Sequence, residues 1–132
     1  MNILAAGVTA REQTNMLYGH EAYEINANGD AFNHVTWSFV AAHNTDIEFS
    51  RLWFNAHEYG ITANYEYIGT TTNSIMDLRN NAVGRAYAQQ YPLWDIGLGQ
   101  HIQAVIIAPG NAWMVSSSNF GFIRTDGTGL IN

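Results

Sequence analysis

The amino-acid sequence predicts a mostly α protein, an antiparallel helical bundle of about four to five helices with a small C-terminal β-hairpin, in one domain over residues 1–132. Three observations predict it. Apolar residues recur at helical spacing, as in Phe32, Val35, Phe39 and Val40. Gly and Pro punctuate the patterned stretches at Gly60, Pro92 and Pro109-Gly110. Near the end, two β-prone runs, Trp113–Ser116 and Phe120–Arg124, flank the turn-forming Ser117–Asn119.

The elements follow in order. A first helix is predicted from Thr9 to Ile25, then a turn at Asn26–Gly29. The second helix runs from Asp30 to His43 and presents Phe32, Val35, Phe39 and Val40 to the core. Asn44-Thr45-Asp46 breaks the chain, with Thr45 as the expected N-cap of the third helix. That helix, to Tyr59, carries Ile47, Phe49, Leu52, Trp53 and Phe54 nearly all round, so it is expected to be buried, and Gly60 closes it. Residues 61–72 read as a Tyr-, Thr- and Gly-rich loop or short extended segment. A fourth helix starts at Asn73 or Ser74, ends near Gln90, and should bury Ile75, Leu78, Ala82 and Tyr87. Residues 97–108 suit helix or strand; the Pro109-Gly110 stop favours helix. After the hairpin, the Gly-rich tail beyond Asp126 is expected to be loose.

Composition bounds the chemistry. With no cysteine, thiol catalysis, disulfides and zinc–thiolate centres are excluded. The formal charge is −6, and all five basic residues are arginines. That balance offers little to a nucleic-acid backbone or an anionic membrane surface. Charged residues make up 12% of the chain, and Asn, Gly, Ser and Thr fill the surface, as suits an exported or self-assembling protein. No apolar run reaches the ~20 residues of a membrane span. Ile3–Ala10 is too short, and lacks the positive flank, for a signal peptide, so an export address is expected on a longer parent chain.

The polar residues suggest one site. Asp30 and His34 are one helical turn apart and share a face, which Trp37 continues. Asp30 either caps the helix or orients the imidazole. His57-Glu58 closes the third helix; a last-turn histidine gains from the helix dipole, whereas Glu58 does not. Ile61 stands where an HExxH motif needs its second histidine, so a zincin is excluded. Asp77, Asn81 and Arg85 recur every fourth residue, flanked by Asn80 and Gly84. Consecutive asparagines in mid-helix are unfavourable and call for compensating hydrogen bonds, either in a pocket or in a packing network. Gly84 suggests close approach of a backbone or a ligand.

Gly29-Asp30-Ala31-Phe32-Asn33-His34-Val35-Thr36-Trp37, Ala56-His57-Glu58 and Met76–Arg85 resemble, in order and spacing, the GDAFRHAxWN, AHE and MDLHNNxVGR elements of an uncharacterised bacterial domain family. Its members occur in secreted proteins and at the C-termini of toxin-like polypeptides. The resemblance spans roughly residues 15–90 and implies a shared site and a secreted setting. Asn33 stands where the family usually has Arg, and Arg79 where it usually has His.

These readings predict a secreted hydrolase acting on a cell-envelope polymer or lipid. His34 or Glu58 serves as general base, Asp30 orients His34, and Asp77 adds a second carboxylate. Trp37, Asn80, Asn81 and Arg85 bind substrate, the last two stabilising negative charge. His34, His57 and Asp77 are the candidate ligands of a divalent metal such as zinc, although no pair sits at a known ligand spacing within one helix. The alternative is a non-catalytic secreted module that binds a partner or self-associates.

Overall fold

The computed structural model describes the backbone of residues 3–19, 28–59, 72–115 and 121–131, and the side chains of these except 28, 54–59, 72–74, 115, 130 and 131. Helix α2 (Asn28–Asn44) is its axis. Ala31, Phe32, Val35, Phe39, Val40 and Ala41 are all fully buried, as the apolar spacing predicts. Helix α1 (Ile3–Tyr18) lies antiparallel on it. At one end the Trp37 indole N–H donates to the Ile3 carbonyl at 2.7 Å, and at the other the Tyr18 ring packs on Phe32 at 5.3 Å.

The boundaries of α1 correct the expected Thr9–Ile25. The helix begins at Ile3, and its buried stripe continues through Ala6, Ala10 and Thr14, small residues that a search for bulky apolar periodicity overlooks. It ends where Gly19 adopts φ +63°. His20, Glu24 and the turn at 26–27 lie outside the described residues.

Helix α3 (Ile47–Tyr59) departs from expectation twice. Its cap is Asp46, which accepts the Phe49 N–H at 2.9 Å; Thr45 instead donates its hydroxyl to the Ala41 carbonyl at 2.7 Å. Nor is the helix buried all round, since Phe49 and Leu52 are each 54% exposed. It packs through Ser50 and through Trp53, whose ring meets Trp37 edge-on.

Helix α4 (Thr72–Gln90) runs in the same sense as α2, because its contacts advance in step. Asp77 lies by His34, Asn81 by Ser38, and Gly84 against Val35 and Phe39. The expected core face is corrected: Ile75 is 38% exposed, while Met76, Asn80, Asn81, Val83 and Gly84 are buried. Polar amides occupy the interior, so apolar spacing alone misplaces the face.

Tyr87, Tyr91 and Trp94 stack in sequence, and Trp94 lies flat on Phe39 at 5.4 Å. This ladder fixes the turn around Pro92. Residues 98–107 are helical, as preferred: α5 (Leu98–Ile102) continues into a π-helical turn, Gln103–Ile107, that buries Ile106 and Ile107. Gly110, at φ +84°, ends it.

Strands β1 (Trp113–Val115), β2 (Phe122–Arg124) and β3 (Leu130–Ile131) form an antiparallel sheet in that order, with Met114 opposite Ile123 and Ile123 opposite Leu130. The tail is therefore paired rather than loose. Asp126 makes the turn, accepting the Thr128 N–H at 2.9 Å, with Gly127 at φ +83°. The molecule is thus mostly α, with five helices and a small sheet among the described residues. No described helix is long and apolar enough to cross a membrane.

Candidate functional site

The parallel crossing of α2 and α4 brings Asp77 to the pair that the i,i+4 spacing aligns. His34 Nε2 lies 3.7 Å from Asp30 Oδ1 and 3.3 Å from Asp77 Oδ1. Asp30, third residue of α2, sits in the first helical turn, where the dipole favours a carboxylate. All three side chains are mostly buried; Asp30 is the most open at 25%. Burial pushes the Asp30 carboxyl above its ordinary range, and the neighbouring His34 opposes that rise.

One imidazole N–H can aim at only one carboxylate, yet two face the same nitrogen. A cation between them would serve both. One ligand atom from each residue lies within 4.8 Å of the others. Two ligands on one zinc, at bond lengths of about 2.0–2.1 Å and a tetrahedral angle, sit about 3.3 Å apart. The His34–Asp77 separation matches this, and the His34–Asp30 separation needs a modest opening of the angle. One nitrogen with two carboxylates suits zinc, manganese or a similar ion better than magnesium or calcium, which prefer all-oxygen shells.

The other predicted residues are dispersed. Asn80 is fully buried and spends both amide atoms on β1: Nδ2 donates to the Trp113 carbonyl at 2.8 Å, and the Trp113 N–H donates to Oδ1 at 2.9 Å. It mimics a strand partner. We expect Asn80→Ala to cost about 2–4 kcal/mol in urea denaturation, since it strands two backbone groups; an unchanged midpoint would refute that anchoring role. Asn81 is buried, its carbonyl accepting the Ser38 hydroxyl. Trp37 lines a groove of about 440 Å³ on the α1 side of α2, with Leu4, Val8, Arg11 and Asn33. Arg85 lies eight residues beyond Asp77, about 12 Å along α4, in a different pocket. The side chains of His57 and Glu58 lie outside the described residues, although both belong to the last turn of α3.

A family model for a domain of unknown function, DUF6973, matches residues 1–106. The chain belongs to this family. No curated protein and no solved structure matches it. The DUF6973 span contains the whole Asp30–His34–Asp77 cluster and every described α-helix, and it ends within the π-helical turn, before the sheet. Asn80 thus ties the DUF6973 helices to a β element beyond the matched span, beside the Arg79 guanidinium, which lies 5.1 Å over the Trp113 ring.

Sequence reasoning overlooked two features of this DUF6973 domain. One is the groove beside Trp37, whose walls depend on the unexpected N-terminal half of α1. The other is Arg51, which forms a bidentate ion pair with Glu48 on α3 and lines the pocket that holds Arg85. The i,i+3 spacing of Glu48 and Arg51 is the signal that could have found it.

Proposed function

We propose that this DUF6973 domain is an exported, metal-assisted hydrolase whose centre is Asp30, His34 and Asp77, and that it acts on a cell-envelope polymer or lipid. The convergence of two carboxylates on one imidazole nitrogen carries this reading. Asp30, His34 and Asp77 would hold a divalent ion with a position left open, and such an ion would supply an activated water near neutral pH. Asp30 borders solvent and is the ligand nearest an entering substrate. Glu58 and His57 are the sequence candidates for a base and a further ligand. The groove beside Trp37 has Leu4 and Val8 against Arg11, Glu12 and Asn15, a mixed lining that suits an amphipathic chain. The net charge disfavours nucleic acid. The resemblance to secreted and toxin-associated domains supports the extracellular setting.

The test is hydrolysis of peptidoglycan and of phospholipid vesicles by purified protein, before and after chelation and zinc or manganese return. Chelation should abolish turnover, the ion should restore it, and Asp77→Ala should lower kcat/KM by about 100-fold or more. Turnover indifferent to chelator and to Asp77→Ala would sink the mechanism. A folded, ion-loaded protein inert on both substrates would leave the binding or self-assembling module, which the inward use of Asn80 also suits.

A further inference from the structure

A second pocket, of about 220 Å³, opens between α3 and α4 and is lined by Ile47, Glu48, Arg51, Arg85, Ala86 and Gln89. Arg85 reaches into it half-buried. One terminal guanidinium nitrogen, NH1, is shut from solvent and has no hydrogen-bond partner among the described residues. A stranded donor on a charged group is costly, and an aliphatic side chain would fill the same space without that cost. Burial first, and the like charge of Arg51 second, disfavour the charged form of Arg85. Arg51 lines the same pocket and is ion-paired with Glu48 on its exposed side. The lining therefore carries two guanidinium groups and one carboxylate, a surplus of one positive charge at a cavity mouth.

We propose that this pocket binds a singly charged oxyanion, a phosphodiester or a carboxylate, gripped by the Arg85 and Arg51 guanidinium groups. On binding, the Arg85 guanidinium turns NH1 out toward the anion as a donor, Arg51 leaves Glu48 to close the other side, and the Gln89 side chain stands at the edge. An anion here cancels the repulsion between the two arginines and satisfies the stranded donor at once. The guanidinium fork matches the paired oxygens of either group. A single surplus charge favours a monoanion over a phosphate monoester. The pocket lies about 12 Å along α4 from Asp77, so it stands apart from the cation cluster and does not rest on the hydrolase reading.

The test uses the full chain and NMR of the arginine side-chain Nε–H groups, with dimethyl phosphate and acetate as separate probes and chloride at matched ionic strength as control. We expect a saturable shift of the Arg85 signal at millimolar probe, absent with chloride, and weakened about tenfold in Arg51→Gln. The tighter of the two probes identifies the source of the group. Arg85→Lys keeps the charge but loses the fork, and should weaken binding comparably. Arg51 is exposed, so Arg51→Gln serves even where Arg85→Lys fails to fold. No saturable shift, or one that chloride reproduces or that Arg51→Gln leaves intact, overturns the proposal.

Discussion

Replacing Gly84 with valine should leave the domain largely unfolded, and alanine alone should lower Tm by about 5–10 °C. A Cβ at this position would stand 2.4 Å from the Val35 carbonyl oxygen and 2.9 Å from the Phe39 amide nitrogen. Both obstacles are backbone atoms of the most buried helix, so neither can turn aside. Overpacking of this kind costs about 1–3 kcal/mol for small additions. Alanine recovers about 1 kcal/mol of helix propensity, and its net effect stays negative because the clash is severe. Valine adds two methyl groups and no such recovery, so its cost should exceed about 4 kcal/mol. Thermal circular dichroism on the two variants checks this. An alanine variant within 2 °C or so of the parent would show that the helices yield easily. The crossing also has a functional consequence, because Gly84 and Asp77 lie two turns apart on one rigid helix. Pushing α4 away from α2 moves Asp77 off His34, so a folded Gly84→Ala protein should also bind divalent ions more weakly.

That crossing explains what was legible in the sequence. Helix α2 is legible because Phe32, Val35, Phe39 and Val40 mark its buried face at helical spacing, although Thr36 and Ser38 are buried beside them. Helix α1 was shifted because alanines and a threonine, rather than large side chains, define its buried stripe. The interior face of α4 was missed because its buried residues include Asn80 and Asn81, whose burial depends on partners in β1 and α2. Gly84, by contrast, was a readable signal: its lack of a side chain reports backbone approach, and the approaching backbone is that of α2. The third strand could not be anticipated from periodicity, since two residues carry it and a Gly-containing turn at Asp126–Thr128 returns the chain.

The candidate site was legible in proportion to how local it is. Asp30 and His34 share a helix, so a spacing of four places them together. Asp77 joins them only through tertiary packing, and the motif around Asn80-Asn81 hinted at it through its poor helix propensity. Arg85 was grouped with Asp77 because both recur on one face. A shared face does not make a shared site when eight residues intervene along a straight helix, and the pocket shared with Arg51 belongs to the α3–α4 seam.

In chelator, Asp30→Asn should raise the stability of the domain, and in excess zinc or manganese it should lower it relative to the parent. Without a cation, the Asp30 carboxyl is buried near Asp77, and burial raises its pKa above the ordinary carboxylate range. A raised folded-state pKa means that the fold prefers the protonated acid. That preference contributes stability below the unfolded carboxyl range, about pH 4, and is lost as pH rises through the folded value. At pH 7 an amide, which never ionises, escapes the loss, so Asp30→Asn should gain about 0.5–2 kcal/mol; below about pH 4 the advantage should vanish. With cation present the balance reverses. The parent gains stability in proportion to RT ln(1 + [M]/Kd), about 2.7 kcal/mol at a hundredfold excess over Kd. The amide variant gains less, because it brings no charge to the ion. Thermal scans of both proteins, with chelator and with metal, should therefore give opposite orders of Tm. The same order in both conditions would mean that Asp30 is not a ligand, and a parent Tm unmoved by any divalent ion would remove the centre itself. No purely structural account of the cluster predicts the inversion, because a packing or hydrogen-bonding role for Asp30 would be lost or kept regardless of the metal.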